Sequence, residues 1–432
     1  MFIYDNYNVN EEGHLTVSGV DTVKLAKEYS TPLYVMDEAV LRENIRSFKD
    51  AFDKYYDGRG LVCYASKAFC CKQMCRIASQ EGIGLDVVSG GELFTALSAE
   101  VNPENICFHG NNKSNEELEM AVKAGVGRIV VDNLPELERL QAISARYNAT
   151  SGIMLRIKPG IDAHTHDFVK TGQIDSKFGF ALETGEAFDA IRASIEYPNV
   201  RLRGIHCHIG SQILDDDPFV LAAEVMLTLI AKVKQELGYE LEELNLGGGF
   251  GIKYTGNDNP KAYSEYIKTV SSAVDAKCGE LGICRPFMLV EPGRSVAGPA
   301  GVTLYTVGAV KEIPNIRTYV SVDGGMCDNP RYILYSSEYE ATIANRAAEE
   351  RTETITLAGK CCETGDLLGE NMKLQPACSG DIVAVFSTGA YNYSMSSNYN
   401  RNKKPAVVFV ANGKSYLAVR GESYEDVISH DI

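Results

Sequence analysis

Residues 202–251 read LRGIHCHIGSQILDDDPFVLAAEVMLTLIAKVKQELGYELEELNLGGGFG, and this stretch contains the unit from which the fold can be inferred. Leu202–His208 and Leu244–Gly247 are short apolar runs typical of buried strands. Phe219–Leu237, between them, has the pattern of an amphipathic helix. A strand, a helix and a second strand in this order predict a β-α-β unit with parallel strands.

The same unit recurs over most of the chain. Six further runs are predicted to be strands: Leu61–Ala65, Gly84–Val88, Ile106–His109, Arg128–Val131, Ile153–Lys158 and Phe287–Glu291. Segments between them, such as Asn115–Ala124 and Glu136–Tyr147, are predicted to be helices. Eight β-then-α units predict a (β/α)8 TIM-type barrel, whose active site lies at the C-terminal ends of its strands.

A second, β-rich region follows the barrel pattern. Its predicted strands are Thr303–Val310, Thr318–Val322, Thr354–Ala358, Asp381–Phe386, Ala406–Val410 and Ser415–Val419, with a hairpin turn at Ala411–Lys414. The N-terminal runs Leu15–Val17 and Leu33–Val35 are too few to fold alone and are expected to join this sheet. Glu338–Glu353 is helix-prone. We therefore predict an α/β protein with a barrel at 36–300 and a discontinuous antiparallel β-sandwich or β-barrel domain at 1–35 and 301–432.

Composition and net charge argue against several classes of partner and favour one cellular compartment. The 432 residues carry a formal net charge of −16, which argues against nucleic acid or an anionic membrane as partner. No secretory signal is visible in Met1–Gly13, and no apolar run approaches the length of a membrane span. Twelve cysteines scattered through such a chain are expected to be reduced thiols, which predicts a cytoplasmic protein.

Chemically unusual residues cluster at the predicted strand ends. These positions hold Lys67, Asp86, His109, Asp132, Pro159, His208, the loop Gly247–Gly251 and Glu291. A plain core would place apolar side chains there, so the barrel is predicted to be an enzyme.

Lys67 lies just past the end of the first predicted strand, among small and apolar neighbours. Desolvation there would lower the pKa of its amine and free it to form an imine. The alternative is an ordinary solvated lysine at a strand end.

The loops after the last two strands suggest anion binding. The consecutive glycines of Gly247–Gly251 allow backbone N–H groups to converge on a phosphate near the next helix N-terminus, although a tight turn would also need glycine. Glu291 could pair with a protonated ring nitrogen. Arg294 could hold a carboxylate or phosphate, unless the two residues simply pair with each other.

The segment His206–Gln212 allows two interpretations. Residues two apart on a strand point to the same side, so His206 and His208 could bind a metal, as in metal-dependent barrel hydrolases. His164 and His166 fall in a polar loop and complete no ligand set. Alternatively, one histidine stacks on a planar cofactor while Ser211 reaches its phosphate.

An imine-forming lysine, a phosphate loop, a stacking histidine and a carboxylate for a ring nitrogen together fit pyridoxal 5'-phosphate. With Tyr64–Ala68, His208–Gln212, Asp323–Arg331 and Cys362–Asp366, the chain resembles the diaminopimelate decarboxylases over nearly its whole length. Their barrel-type family also contains ornithine and arginine decarboxylases and, more distantly, alanine racemase.

The resemblance implies a role for each matching residue. Lys67 would form the Schiff base, His208 would stack on the cofactor, and Cys362 would donate a proton. Further cofactor contacts are implied for Ser211, Gly248, Gly249, Glu291, Gly293, Arg294 and Tyr391. Substrate contacts are implied for Arg294, Arg331, Tyr335, Glu363 and Tyr391.

The resemblance also implies decarboxylation of meso-2,6-diaminopimelate to L-lysine, the last step of lysine biosynthesis, by a homodimer with shared active sites. Arg294 and Arg331 suit a distal carboxylate, and Glu363 suits a distal ammonium group. Other interpretations are a decarboxylase of another diamino acid or of carboxynorspermidine, a metal-dependent hydrolase, and a barrel that only carries the cofactor.

Overall fold

The computed structural model describes residues 2–161 and 175–432, so His164 and His166 lie outside the described residues. The chain divides into two compact units. We call Asn44–Gly251 with Pro260–Gly293 the barrel unit, and Met1–Glu43, Ile252–Asn259 and Arg294–Ile432 the β unit.

The barrel unit contains a closed ring of eight parallel strands, as predicted. The strands are Gly60–Ala65, Gly84–Val87, Ile106–Phe108, Arg128–Val131, Ser151–Lys158, Val200–His206, Glu243–Asn245 and Phe287–Val290. Each strand pairs with the next, and the eighth pairs with the first through Leu289 and Leu61, which closes the barrel. A short strand, Phe180–Ala181, lies beside the fifth.

Helices alternate with these strands. They are Lys72–Gln80, Gly90–Ser98, Asn115–Ala124, Leu134–Arg146, Glu186–Glu196, Asp217–Leu237 and Tyr263–Leu281, and Glu38–Tyr55 precedes the first strand. Asn115–Ala124 shows why a boundary could be predicted. Ser114 and Glu117 form a capping box at its start, and Gly125 ends it at φ 70°.

The barrel interior is filled by apolar side chains and closed by ionic ones. Cys63, Cys107, Met154 and their neighbours form a buried layer. At the strand starts, Arg128 donates two hydrogen bonds of 2.8 Å to Glu243. Chemistry in such barrels belongs to the opposite, C-terminal ends of the strands.

The β unit is built on a mostly antiparallel sheet. Its strands are Leu33–Asp37, Gly301–Ile313, Arg317–Val322, Ala341–Ile343, Glu353–Ala358, Leu367–Leu374, Ile382–Val385, Ala406–Ala411 and Lys414–Val419. Gly301–Ile313 is central, because alternate side chains along it enter two hydrophobic clusters: Val302 and Leu304 enter one, and Tyr305 and Val307 the other.

The N-terminal prediction is half right. Leu33–Asp37 joins the large sheet, antiparallel to Gly301–Ile313 and parallel to Ala406–Ala411. Leu15–Val17 instead lies in a three-stranded sheet with Tyr7–Val9 and Val20–Asp21. Arg317–Val322 and Glu353–Ala358 are also parallel, so the sheet is mixed and not purely antiparallel.

Two local predictions in the β unit have opposite outcomes. The hairpin turn is confirmed, because Asn412 and Gly413 have φ values of 52° and 71° and join the last two strands. The helix-prone segment Glu338–Glu353 forms a strand at Ala341–Ile343 and a single short turn, so that expectation is wrong. Pairing of Ala341–Ile343 with Ile382–Val385 overrides the local propensity.

The remaining helices of the β unit are short: Thr22–Tyr29, Arg294–Ala297, Arg331–Tyr335 and Tyr424–Ile428. Among the described residues, no helix combines the length and apolar character needed to cross a membrane. All twelve cysteines are present as thiols.

Candidate active site

The turn that carries Lys67 lies at the C-terminal end of the first barrel strand. Ser66–Ala68 form one 3-10 turn directly after Gly60–Ala65. The Ala65 N–H bonds to the Pro292 carbonyl at 3.1 Å. A Cβ on Gly293 would lie 2.9 Å from that of Ala65, so the Lys67 turn packs directly on the segment after Glu291.

The Lys67 side chain is exposed, so the expectation that it is desolvated is wrong for this chain by itself. Its turn is nevertheless held rigidly. One carboxylate oxygen of Glu92 accepts hydrogen bonds from the Ser66 hydroxyl and the Val88 N–H, both at 2.7 Å. Asp86 and His208 both interact electrostatically with Lys67. The turn is therefore held at the barrel mouth, and the exposed Lys67 amine is accessible to a ligand.

Glu291, after the eighth strand, accepts three hydrogen bonds. His109 Nε2 at 2.7 Å and Asn245 Nδ2 at 2.6 Å donate to Oε1, and His206 Nε2 at 3.1 Å donates to Oε2. Burial would by itself raise the pKa of Glu291, but the electrostatic interaction with His109 and the hydrogen bonds that both histidines donate hold it well below its usual range. Glu291 is thus a buried, ionised acceptor.

His206 and His208 do not share one site in the predicted way. The sixth strand ends at His206, so the strand alternation that would align the two side chains does not reach His208. His206 uses Nε2 for Glu291. His109, His206 and Glu291 have ligand atoms within 4.8 Å of one another, but Glu291 accepts a hydrogen bond from each histidine, and the cluster forms a hydrogen-bond network. The structural argument for a metal on His206 and His208 therefore fails.

His208 faces the glycine loop as a neutral ring. Its Nδ1 accepts the Gly248 N–H at 3.3 Å, which leaves the ring proton on Nε2. Burial, with the charge of Lys67, holds the pKa of His208 well below its usual range. A flat, neutral imidazole next to a glycine loop is suited to stacking on an aromatic cofactor.

The glycine loop has the backbone that only glycine adopts easily. Gly247 and Gly249 have φ values of 68° and 114°, and a Cβ on Gly248 would lie 2.1 Å from the Glu291 carbonyl oxygen. In the part of the chain that the structure describes, no acceptor takes the N–H of Gly249 or Phe250. Two unpaired backbone donors side by side can bind an anion.

Ser211 lies on the segment that binds this loop. Ile213, two residues later, exchanges backbone hydrogen bonds of 2.9 Å with Gly249 and Gly251. The next long helix starts only at Tyr263, so the expected contribution of a following helix N-terminus is absent from this loop. An anion bound at this loop would therefore be held by backbone amides, with Ser211 two residues before Ile213 as the predicted side-chain donor, and not by a helix N-terminus.

In the β unit, two buried arginines lie among tyrosines. The Arg331 guanidinium lies 5.1 to 5.8 Å from the ring centres of Tyr254, Tyr335 and Tyr391. Arg294 lies 4.8 Å from the Tyr391 ring and donates to the Tyr254 hydroxyl. Among the described residues, Arg331 pairs with no carboxylate; its neighbour is Ser337 Oγ at 3.1 Å.

The pKa of the Tyr254 phenol reflects the positive electrostatic potential around the two arginines. Burial would raise the pKa of the Tyr254 phenol, but the charges of Arg294 and Arg331 hold it below its usual range. Two cations that stabilise negative charge on a phenol oxygen will also stabilise the charge of a bound carboxylate.

The loop that carries Cys362 and Glu363 is exposed at both side chains. Its backbone is held by Asp366, whose two oxygens accept the N–H groups of Met326 and Cys361, the latter at 2.6 Å. The Cys362 N–H bonds to Asn400 Oδ1 at 2.7 Å. Asp366 thus links the Cys362 loop to the segment that leads to Arg331.

Sequence reasoning did not assign roles to His109, Asn245, Tyr254, Tyr339 or Asp366. His109 was visible at a strand end, and Asn245 directly precedes the glycine loop. Tyr339, which stacks edge-on against Tyr254 at 5.4 Å, gave no local signal because its contact is formed across 85 residues.

A family model described as "Pyridoxal-dependent decarboxylase, pyridoxal binding domain" matches residues 38–298. The curated diaminopimelate decarboxylase of Bacillus methanolicus is 50% identical over 420 residues, covering 97% of this chain and 97% of its own. The one from Bacillus subtilis (strain 168) is 48% identical and covers 100% and 98%. The crystal structure of the M. jannaschii diaminopimelate decarboxylase with L-lysine aligns with a TM-score of 0.93 at 32% identity, over 100% and 99% of the two chains.

Proposed function

Because this chain belongs to the diaminopimelate decarboxylases within the pyridoxal-dependent decarboxylase family, we propose that it decarboxylates meso-2,6-diaminopimelate to L-lysine, the last step of lysine biosynthesis. The full-length similarity to enzymes of that name carries this proposal. The L-lysine bound to the M. jannaschii relative has the chemistry of the expected product.

The barrel unit fits pyridoxal 5'-phosphate. When bound, this cofactor supplies an electron sink for the electron pair released as CO2 departs. Lys67 would hold its carbonyl carbon, and Glu291 would hold its ring nitrogen. The Gly249 and Phe250 amides with Ser211 would hold its phosphate, with Gly248 and Gly293 giving close backbone approach.

The chain's own residues then orient the substrate and move protons. Glu291, which is held ionised, would keep the proton of the cofactor's ring nitrogen in place. His208, held neutral by burial, covers a flat surface and excludes water without adding charge. The Cys362 Sγ–H would give its proton to the substrate carbon that has lost CO2, as a general acid.

Substrate selection follows from charge. Arg331 and Arg294, framed by Tyr335 and Tyr391, present a positive surface to a distal carboxylate. Glu363, exposed on its loop, offers a carboxylate for the distal ammonium group. Ornithine, arginine and carboxynorspermidine lack this pairing of a carboxylate and an ammonium group on one distal carbon, which favours diaminopimelate over these competitors.

We further propose a cytoplasmic homodimer in which the Cys362 loop of one subunit completes the active site in the Lys67 barrel of the other. The side chains of Cys362 and Glu363 are exposed, and so are Ile333 and Leu334 on a neighbouring helix of the same unit, which supports a second subunit covering this surface.

The family-model match over residues 38–298 supports assigning cofactor binding to a domain at 36–300, with 1–35 and 301–432 as the β domain.

Arg331→Met tests the substrate assignment. The variant should raise KM for meso-diaminopimelate by roughly 10- to 100-fold, because a charge-assisted hydrogen bond contributes about 1.5–3 kcal/mol. The visible absorbance of bound cofactor should stay unchanged. Arg317→Met, which removes a surface pair with Glu370, is the control and should match the wild type. Wild-type kcat/KM in Arg331→Met would show that Arg331 does not bind substrate.

A further inference from the structure

Four strand ends of the barrel converge on one carboxylate. His109, Asn245 and Glu291 follow or end the third, seventh and eighth strands, and His206 ends the sixth. All four side chains are buried, with at most 6% exposed. Burying this many polar groups is unfavourable unless each of them has a hydrogen-bond partner. An acceptor position of this cluster that has no partner therefore indicates where a further donor binds.

The acceptor position without a partner lies on the Glu291 carboxylate. An ionised carboxylate has about four lone-pair positions, two on each oxygen. Among the described residues, Oε1 of Glu291 accepts from His109 and Asn245, whereas Oε2 accepts from His206 alone. One position, on Oε2, remains for a further donor.

The charge state and the tautomer of His206 follow from its burial and from its hydrogen bond to Glu291. Burial lowers the pKa of His206 to about 4, so the ring is neutral at physiological pH. Because Nε2 donates to Glu291, Nδ1 carries no proton, and it has no hydrogen-bond partner among the described residues. A neutral donor can favour the ionised form of Glu291 without attracting its charge as a full cation would.

We propose that His109 and His206 are positioning residues for the cofactor. With Asn245 they fill three acceptor positions of Glu291 and keep the fourth, on Oε2, directed to the cofactor's ring N–H. This inference rests on the proposed function, because it assumes that pyridoxal 5'-phosphate binds in the barrel. The two histidines act on the cofactor only through Glu291.

The proposal implies a defined pH dependence. The described groups that face Glu291 or act on it electrostatically are Asp86, Cys107, His109, Arg156, His206, Cys207 and His208. Burial opposes ionisation of Glu291, and the histidines offset this effect. Removing either donor therefore raises the pKa of Glu291. Since the ionised carboxylate binds the ring N–H, cofactor affinity will then be lost as pH falls through the raised pKa.

The experiment compares two substitutions at each histidine. Leucine removes the donor, whereas the glutamine amide Nε2 lies near the position of the histidine Nε2 and restores it. Cofactor-free His206→Leu, His206→Gln, His109→Leu and His109→Gln are titrated with pyridoxal 5'-phosphate between pH 6 and 8.5, and binding is followed by visible absorbance. The leucine variants should bind about tenfold or more weakly at pH 6 than the wild type, with a smaller deficit at pH 8.5. The glutamine variants should recover most of the affinity.

His430→Leu, at the exposed C-terminal end, is the control and should match the wild type. If a leucine variant does not fold, His206→Asn replaces it, because its shorter amide cannot reach Glu291. Equal affinity and equal pH dependence of the leucine, glutamine and wild-type proteins would overturn the inference. A wild-type protein that gains no visible band would instead overturn the proposed function.

Discussion

Replacement of Lys67 by alanine should lower kcat for meso-diaminopimelate by about 10⁴-fold or more, the scale seen when a covalent nucleophile is removed. Lys67 lies on a turn held by Ser66 and Glu92, with its amine exposed at the barrel mouth. No other residue of that turn has an amine. The barrel should still fold, because the Lys67 side chain contributes little buried surface.

The matching chemical measurement is borohydride reduction of the wild-type protein with bound cofactor, followed by peptide mapping. The cofactor label should lie on Lys67. Lys72→Ala, five residues along the chain at the start of an exposed helix turn, is the control and should be labelled and active like the wild type. A label on another lysine, for example the buried Lys113, would contradict the assignment.

Lys67→Ala and Cys362→Ala should each be nearly inactive, and mixing them should restore activity. If every site combines the barrel of one subunit with the Cys362 loop of the other, a mixed dimer has one intact site and one site with both defects. Random exchange in a symmetric dimer gives about half mixed dimers, so about a quarter of the wild-type activity should return. Exposure of the Cys362 and Glu363 side chains is the observation behind this expectation.

The control for this experiment is a mixture of Lys67→Ala with Glu291→Ala. Both substitutions lie in the barrel unit, so no mixed dimer contains an intact barrel and no activity should return. Differential tags would show that subunits exchange. Exchange without recovery in the Lys67→Ala and Cys362→Ala mixture would mean that each site is built within one chain.

The eight barrel strands could be predicted because each is a short apolar run with its own local boundaries. The predicted ends are within two residues of the observed ones, but that margin mattered at the sixth strand. Val200–His206 ends two residues before the predicted limit, and the metal interpretation of His206 and His208 depended on those two residues. The last residues of a strand are fixed by pairing with neighbouring strands. The hydrophobic pattern of a single run in the sequence does not contain that information.

The chemistry of the site was only partly accessible from the sequence. Glycines and a lysine after strands are local signals, so Lys67 and Gly247–Gly251 could be selected. The partners of Glu291 could not, because His109 is 182 residues away along the chain. The mixed sheet had the same cause: Leu33–Asp37 lies parallel to a strand that begins at Ala406.

The central claim is tested most directly by measuring CO2 release from four amino acids with the same pyridoxal phosphate-loaded protein. Meso-diaminopimelate should be decarboxylated, with L-lysine as product, and kcat/KM for lysine, ornithine and arginine should be at least about 100-fold lower, because each lacks the distal carboxylate that Arg331 would bind. Faster turnover of ornithine, arginine or lysine, or no CO2 from meso-diaminopimelate by protein with bound cofactor, would contradict the account.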